Sequence, residues 1–161
     1  MNILGISAGF HDAGATVISP QGEILFAGHS ERYSKKKNDA DLHTHLLRDA
    51  YFCGQIGHIA YYERPWAKQL RQLYAGQGVE WHKITTRQVL KQQLGFVPRS
   101  YSTHNHHLSH AAAGFQTSPY DRATVVVIDA IGEWETATIW GAEYDSNGHA
   151  IYKKLWQQNY P

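Results

Sequence analysis

The chain opens with three short apolar stretches separated by turn residues. Ile3 to Ser7 is a continuous apolar run and predicts a strand buried on both faces. Ala15 to Ile18 and Glu23 to Ala27 predict a second and a third strand. Gly9-Phe10-His11-Asp12-Ala13-Gly14 and Ser19-Pro20-Gln21-Gly22 supply the turns, so the three form an antiparallel meander. The period then becomes helical. Leu42, Leu46, Leu47 and Ala50 predict a helix over 41–53. Ile56 to Tyr62 reads as a strand. Pro65 starts a helix that runs to Ala75, with Gly76 and Gly78 beyond it. Glu80 to Ile84 predicts a short strand. Thr86 to Leu94 predicts a helix, with Thr85 or Thr86 as N-cap and Gly95 just past its end. Asn105 opens a helix rich in small residues (Ser109, Ala111, Ala112, Ala113 and Gly114). Ala123 to Asp129 is the clearest buried strand of the chain. Thr136 to Ala142 and Ala150 to Leu155 follow as strands around an Asp145-Ser146-Asn147-Gly148 turn. The pattern is therefore α/β: a meander, an alternating middle, and a second meander. It shows no solenoid repeat, although the chain opens and closes with similar three-strand runs.

Composition narrows the class. With 161 residues the chain is one ordinary domain or half of a larger one, and a compact chain of this size hides roughly 70% of its unfolded surface. At 42% apolar and 18% charged it is neither a disordered tail nor a fibre. Fifteen basic against fourteen acidic residues give +1, so net charge recruits neither nucleic acid nor anionic lipid. Cys53 stands alone, forms no intrachain disulfide and reads as a packing residue. The five tryptophans read as core or interface. No apolar run approaches the roughly 20 residues of a membrane span. Met1 to Gly5 has no basic region or apolar core of a signal peptide, so the cytoplasm is the expected compartment. The ending, Trp156 to Pro161, reads as a cut through a longer protein.

Eleven histidines direct attention to His104-Asn105-His106-His107-Leu108-Ser109-His110. If Asn105 caps a helix, His106 and His110 lie one turn apart, with Cβ atoms about 5–6 Å from each other. Such a pair can grip one cation. His107 and His110 also share a face, so spacing alone leaves the register open, and polar surface histidines are the alternative. Two imidazoles need a carboxylate, and Asp129 at a strand end is a candidate. That donor set favours Fe(II) or a similar divalent ion. His11-Asp12, in the glycine-flanked first turn, is either a general base or a backbone cap. Glu31-Arg32-Tyr33-Ser34-Lys35-Lys36-Lys37 is either a solvated face or a grip on phosphate or carboxylate. Asp129 to Thr136 reads as strand, turn and strand. Its backbone N–H groups, the close approach that Gly132 permits and the Thr136 hydroxyl suit phosphate, but an ordinary hairpin explains the segment equally well.

Several of these motifs occur together in a known order. They are Ile3-Leu4-Gly5-Ile6-Ser7, Phe10-His11-Asp12-Ala13, Glu31-Arg32 with Lys37, His106 to Ala112, and Asp129-Ala130-Ile131-Gly132-Glu133. The chain resembles the O-carbamoyltransferases of the antibiotic and nodulation-factor type over nearly its whole length. The resemblance implies that residues 1–161 are the N-terminal portion of a domain of the actin, sugar-kinase and Hsp70 class. That is a ribonuclease H-like half, with a mixed sheet, antiparallel meanders and flanking helices. The second half and a YrdC-like domain would lie outside the chain, and the chain alone would be inactive. It implies metal ligands at His106, His110 and Asp129, a catalytic histidine at His11, and binding of the intermediate by Lys37, with Arg32, Gly132, Glu133 and Thr136 beside it. Iron(II) is the metal expected first, with zinc or manganese as alternatives. Carbamoyl phosphate, ATP and a hydroxyl-bearing acceptor are the expected partners, and neither membrane nor nucleic acid is expected. Ala130 departs from the family, which usually has glycine there. The transfer proteins of tRNA threonylcarbamoylation share the His-x-x-x-His helix but typically carry Ser-Gly-Gly at 129–131. A non-catalytic metal-binding half-domain is the remaining alternative.

Overall fold

The first meander forms as expected in the computed structural model, which describes residues 1–130 and 132–159. Ile131, inside the expected 129–136 turn, and Tyr160 and Pro161, at the expected cut, lie outside the described residues. Strands β1 (Asn2–Ser7), β2 (Gly14–Ile18) and β3 (Ile24–His29) pair antiparallel, with Leu4 opposite Val17 and Ile6 opposite Ala15. A short α1 (Glu31–Ser34) and α2 (Thr44–Phe52) lead to β4 (Ile56–Tyr61), which lies parallel to β1 on its other side. Next come α3 (Pro65–Tyr74), a single 3-10 turn (Trp81–Lys83) and α4 (Thr86–Leu94). They carry the chain back to β5 (Tyr101–Thr103), parallel to β4. The result is a five-stranded mixed sheet ordered β3-β2-β1-β4-β5. Its parallel pairs need long crossovers, and the helices provide them.

The main core lies on one face of this sheet. Leu4, Ile6, Ala15, Val17, Ile59 and Tyr61 pack with Leu46 and Ala50 of α2 and with Val89 and Leu90 of α4. Alternation along β1 departs from the expectation, because Leu4 and Ile6 are buried while Ile3 is 40% exposed. Helices cover one side of the strand, so one side is fully buried. Local chemistry sets the ends of α4. Thr85 accepts from Gln88 N, and the Gln88 side chain bonds back to the Thr85 N–H, a reciprocal capping box.

The last part of the chain forms a separate antiparallel sheet. Helix α5 (His106–Gln116) precedes β6 (Arg122–Ile128), β7 (Glu135–Tyr144) and β8 (Ala150–Asn159), in the order β6-β7-β8. Ala111 of α5 packs with Val127 and Trp140, flanked by Leu108, Val125 and Tyr152.

Three expectations require correction. The 123–129 strand is buried on one side only: Val126 and Ile128 are 58% and 81% exposed. Only one side of its sheet rests on α5, so alternate residues of β6 face outward. Residues 80–84 form no strand. Gln69 Oε1 accepts from Glu80 N at 2.8 Å, and Lys83 N bonds to Glu80 O at 2.8 Å, so the backbone closes on itself. Strand β5 was not expected. It is three residues long, too short to show a period. Among the described residues no helix is long and apolar enough to cross a membrane.

Leu46 joins α2 to the sheet and is fully buried. Leu46→Ala should lower unfolding free energy by about 2–5 kcal/mol in a urea titration, with the slope unchanged.

Candidate metal centre

Helix α5 places the histidines through its N-terminal contacts. Asn105 Oδ1 accepts from Leu108 N at 3.0 Å, as the sequence predicts for an N-cap. The Ser109 hydroxyl donates to Tyr62 O at 2.7 Å, tying the first turn of the helix to the end of β4. These bonds settle the register. His106 and His110 turn toward Asp129, whereas His107 is buried beside β7, with Nδ1 2.9 Å from Thr138 Oγ1.

His106 Nε2 lies 2.7 Å from Asp129 Oδ2 and 3.1 Å from His110 Nε2. One ligand atom from each of His106, His110 and Asp129 falls within 4.8 Å of the others. Asp129 is fixed from its other oxygen, which accepts from Ala130 N at 2.7 Å. A fully buried glutamate, Glu63, approaches from behind, with Oε2 3.3 Å from His106 Nδ1. Lys68 Nζ holds both oxygens of Glu63 at 3.2 Å. A carboxylate behind a histidine that faces a prospective metal fixes the ring and raises its basicity. Two imidazoles and a carboxylate suit a first-row divalent ion.

Electrostatics follow from this sandwich. Burial pushes His106 toward its neutral form, but the Glu63 and Asp129 carboxylates outweigh burial and hold its pKa above the usual histidine range. Burial, and then the charge of His106, push His110 down. Burial opposes ionisation of Asp129 and Glu63. His106 beside Asp129, and His106 with Lys68 beside Glu63, nevertheless keep both carboxyls below the ordinary range.

The other sequence candidates divide. His11 is half exposed, with Nδ1 3.6 Å from Asp12 Oδ2, and is near enough for its charge to act on His110. The Tyr61 hydroxyl donates to Ala8 O at 2.6 Å and anchors the start of its turn. Gly9 N and Ala13 N donate to Ala40 O and Asp39 O, so the loop after Lys37 is bonded to the His11 turn. Lys37 and Arg32 are exposed, and neither side chain forms an ion pair or hydrogen bond among the described residues. Gly132 lies against the histidines. A Cβ there would meet His107 Cδ2 at 2.9 Å and His106 Cδ2 at 3.0 Å. Glu133 is placed differently from the expectation. It is fully buried, and its carboxylate accepts from the Arg64 backbone and guanidinium and from Asn105 Nδ2. Those bonds tie the start of α3 to the start of α5. The Thr136 hydroxyl donates to Gln158 O on β8 at 3.4 Å, and Asp129 N bonds Thr136 O, so the segment is a hairpin at both ends.

Sequence reasoning missed Glu63, Arg64 and Lys68. A signal for Glu63 was present, because it ends a predicted strand just as Asp129 does. The strand-end argument applied to both carboxylates but was used for only one.

The chain is thus an α/β chain with a mixed sheet, whose histidine helix meets a strand-end aspartate. Residues 80–154, which include all three clustered side chains, match the family described as carbamoyltransferase N-terminus. Over those residues the chain is similar to a carbamoyltransferase N-terminus. The uncharacterized protein sll1178 of Synechocystis sp. is 32% identical over 88% of this chain, and the chain spans 27% of that protein's length. Among solved structures, the Lmo2764 protein from Listeria monocytogenes, described as a candidate N-acetylmannosamine kinase, aligns with a TM-score of 0.39 and 14% identity. That alignment covers 94% of this chain and 49% of the other.

Two predictions arise from this geometry. The folded pKa of His106 lies above the unfolded value of about 6.5. Its stabilisation is therefore complete below that pH and is lost as pH rises through the folded value. Glu63 and Asp129 have lowered folded values, so their stabilisation is complete above the ordinary carboxylate range and is lost as pH falls through those values. The Tm of metal-free protein should fall on both sides, and His106→Gln should remove the upper limb; an unchanged upper limb would assign it to another group. Gly132→Ala should push the two rings apart, cost about 1–3 kcal/mol by thermal melting, and weaken binding of a divalent ion in calorimetry.

Proposed function

We propose that the chain is the N-terminal, metal-holding part of an O-carbamoyltransferase that works in the cytoplasm as part of a longer protein. It would move a carbamoyl group from carbamoyl phosphate, by way of carbamoyl-adenylate made with ATP, to an acceptor hydroxyl. One observation carries this reading: His106, His110 and Asp129 meet within a segment that matches the carbamoyltransferase N-terminus. The mixed sheet, antiparallel on one side of β1 and parallel on the other, supports an actin-like, ribonuclease H-like half.

The donor set fits a divalent ion, Fe(II) first, with zinc or manganese in its place. His106, His110 and Asp129 would hold such an ion, which when bound would supply Lewis-acid chemistry to the activated carbamoyl group. Glu63 and Lys68 keep the His106 ring aligned. His11 takes the proton of the acceptor hydroxyl as that oxygen bonds to the carbamoyl carbon. The bond from that carbon to the phosphate oxygen breaks, and AMP leaves with the electron pair. Lys37, just before the loop bonded to the His11 turn, and Arg32 of α1 offset the anionic charge of the intermediate.

In the full-length protein, His11→Asn should lower kcat for hydroxyl carbamoylation by about 10²–10⁴-fold. Carbamoyl-phosphate-dependent release of pyrophosphate from ATP should be retained. A variant that keeps most of its transfer rate would remove His11 from the role of base. Full-length wild-type protein that consumes neither carbamoyl phosphate nor ATP would overturn the function.

A further inference from the structure

Strand β5 carries polar chemistry that the metal centre does not use. Residues 100–104 read Ser-Tyr-Ser-Thr-His, and strand alternation sends Ser100, Ser102 and His104 to one side. Thr103 meets Thr86 of α4 at 2.8 Å on the helix-covered side, so these three face the other way. Ile59 and Tyr61 of β4 are buried in the core, which leaves His58 on that same outer side. The parallel register sets Ala60 opposite Ser102, so His58 falls level with Ser100. Strand β5 is the last of its sheet. Ser102 and His58 are half-buried and Ser100 and His104 are exposed, so a small molecule can reach the group. The four side chains form one hydrogen-bonded row. Ser100 Oγ lies 2.8 Å from His58 Nδ1, and His58 Nε2 lies 2.9 Å from Ser102 Oγ, which in turn lies 2.8 Å from His104 Nε2. A hydroxyl has one proton, and a neutral imidazole has one N–H and one bare nitrogen. Donation from Ser102 to His58 puts His58 Nδ1–H on Ser100 Oγ and His104 Nε2–H on Ser102 Oγ. The acceptor ring is then held from behind. Donation to His104 lacks that support, because no described residue bonds to His104 Nδ1. A hydroxyl on a bare imidazole nitrogen, with that ring oriented by a third group, is the arrangement that activates a serine nucleophile.

We propose that Ser102 is a nucleophilic serine, with His58 as its base, that accepts an acyl group from an activated carboxylic ester. Ser102 Oγ bonds to the ester carbonyl carbon, and its proton passes to His58 Nε2. The bond from that carbon to the leaving oxygen breaks, and the electron pair departs with that oxygen as an alkoxide or phenolate. The product is an O-acyl serine, and the proton on His58 returns to the leaving oxygen or to water. His104 Nε2–H, already on Ser102 Oγ, steadies that oxygen as its proton leaves. Ser100 touches only His58 and is a positioning residue. The group shares no residue with His106, His110 and Asp129, and the step needs neither metal nor ATP. It therefore stands or falls separately from the carbamoyl reading.

The test is incubation of the full-length protein with para-nitrophenyl acetate at neutral pH, followed by nitrophenolate release and by peptide mass spectrometry. Ser102 should be acetylated faster than any other residue, and Ser102→Ala should abolish that fast phase. His58→Gln should slow it by about 10²-fold or more. Ser100→Ala should slow it by less, and Ser100→Thr, which returns the hydroxyl, should restore it. Removal of divalent ions with EDTA should leave the rate unchanged. If His58→Gln does not fold, the wild-type mapping and the two Ser100 variants decide. Acetylation with no preference for Ser102, a fast phase that survives Ser102→Ala, an undiminished rate in folded His58→Gln, or a rate lost with EDTA would overturn the assignment.

Discussion

The structure turns on one buried imidazole held between two carboxylates. His106 is nearly inaccessible, with Glu63 at Nδ1 and Asp129 at Nε2. Glu63 follows β4 of the five-stranded sheet, and Asp129 follows β6 of the three-stranded sheet. The helix that carries His106 runs between them. One side chain therefore couples the two sheets and orients the group best placed to hold an ion. The Glu63 side of this contact is shielded from water, so removing His106 would strand a buried carboxylate.

A second ion pair repeats the logic nearby. Glu133, from the turn between β6 and β7, is closed by Arg64 at the start of α3, with Asn105 as a further donor. Asn105 also donates toward Glu135, which Lys154 of β8 holds at 2.8 Å. The cap of the histidine helix is thus shared between its own backbone and two acidic residues of the second sheet. Its position is over-determined, as a site that must hold two histidines in one geometry requires. Gly132 completes the arrangement by leaving room for both rings.

Much of the fold was legible locally. The first meander, α2, α3 and α4, and the Asn105 cap all follow from period, turn residues and caps within a few positions of one another. The failures have a common cause. Residues 80–84 look like a strand until Gln69 takes the Glu80 N–H, and β6 looks buried until its sheet is seen to have a helix on one side only. Each depends on a neighbour remote in sequence. The site divides in the same way. The His106–His110 pair is written in a four-residue spacing, and Asp129 was reachable from its strand end. Glu133 looked available for a ligand because nothing local shows that Arg64 occupies it.

The amino-acid sequence by itself determined the elements and the identity of the chemical groups, because helical period, capping and turn preference act over one or two turns of chain. Tertiary structure alone decided which groups converge. The bond from His106 to Asp129 spans 23 residues and that from Arg64 to Glu133 spans 69. Contacts at such separations form only when sheet pairing and helix packing bring the segments together. The choice of His106 over His107 and the burial of Glu63 were therefore set by packing, which fixes where each charge is dry and what stands beside it.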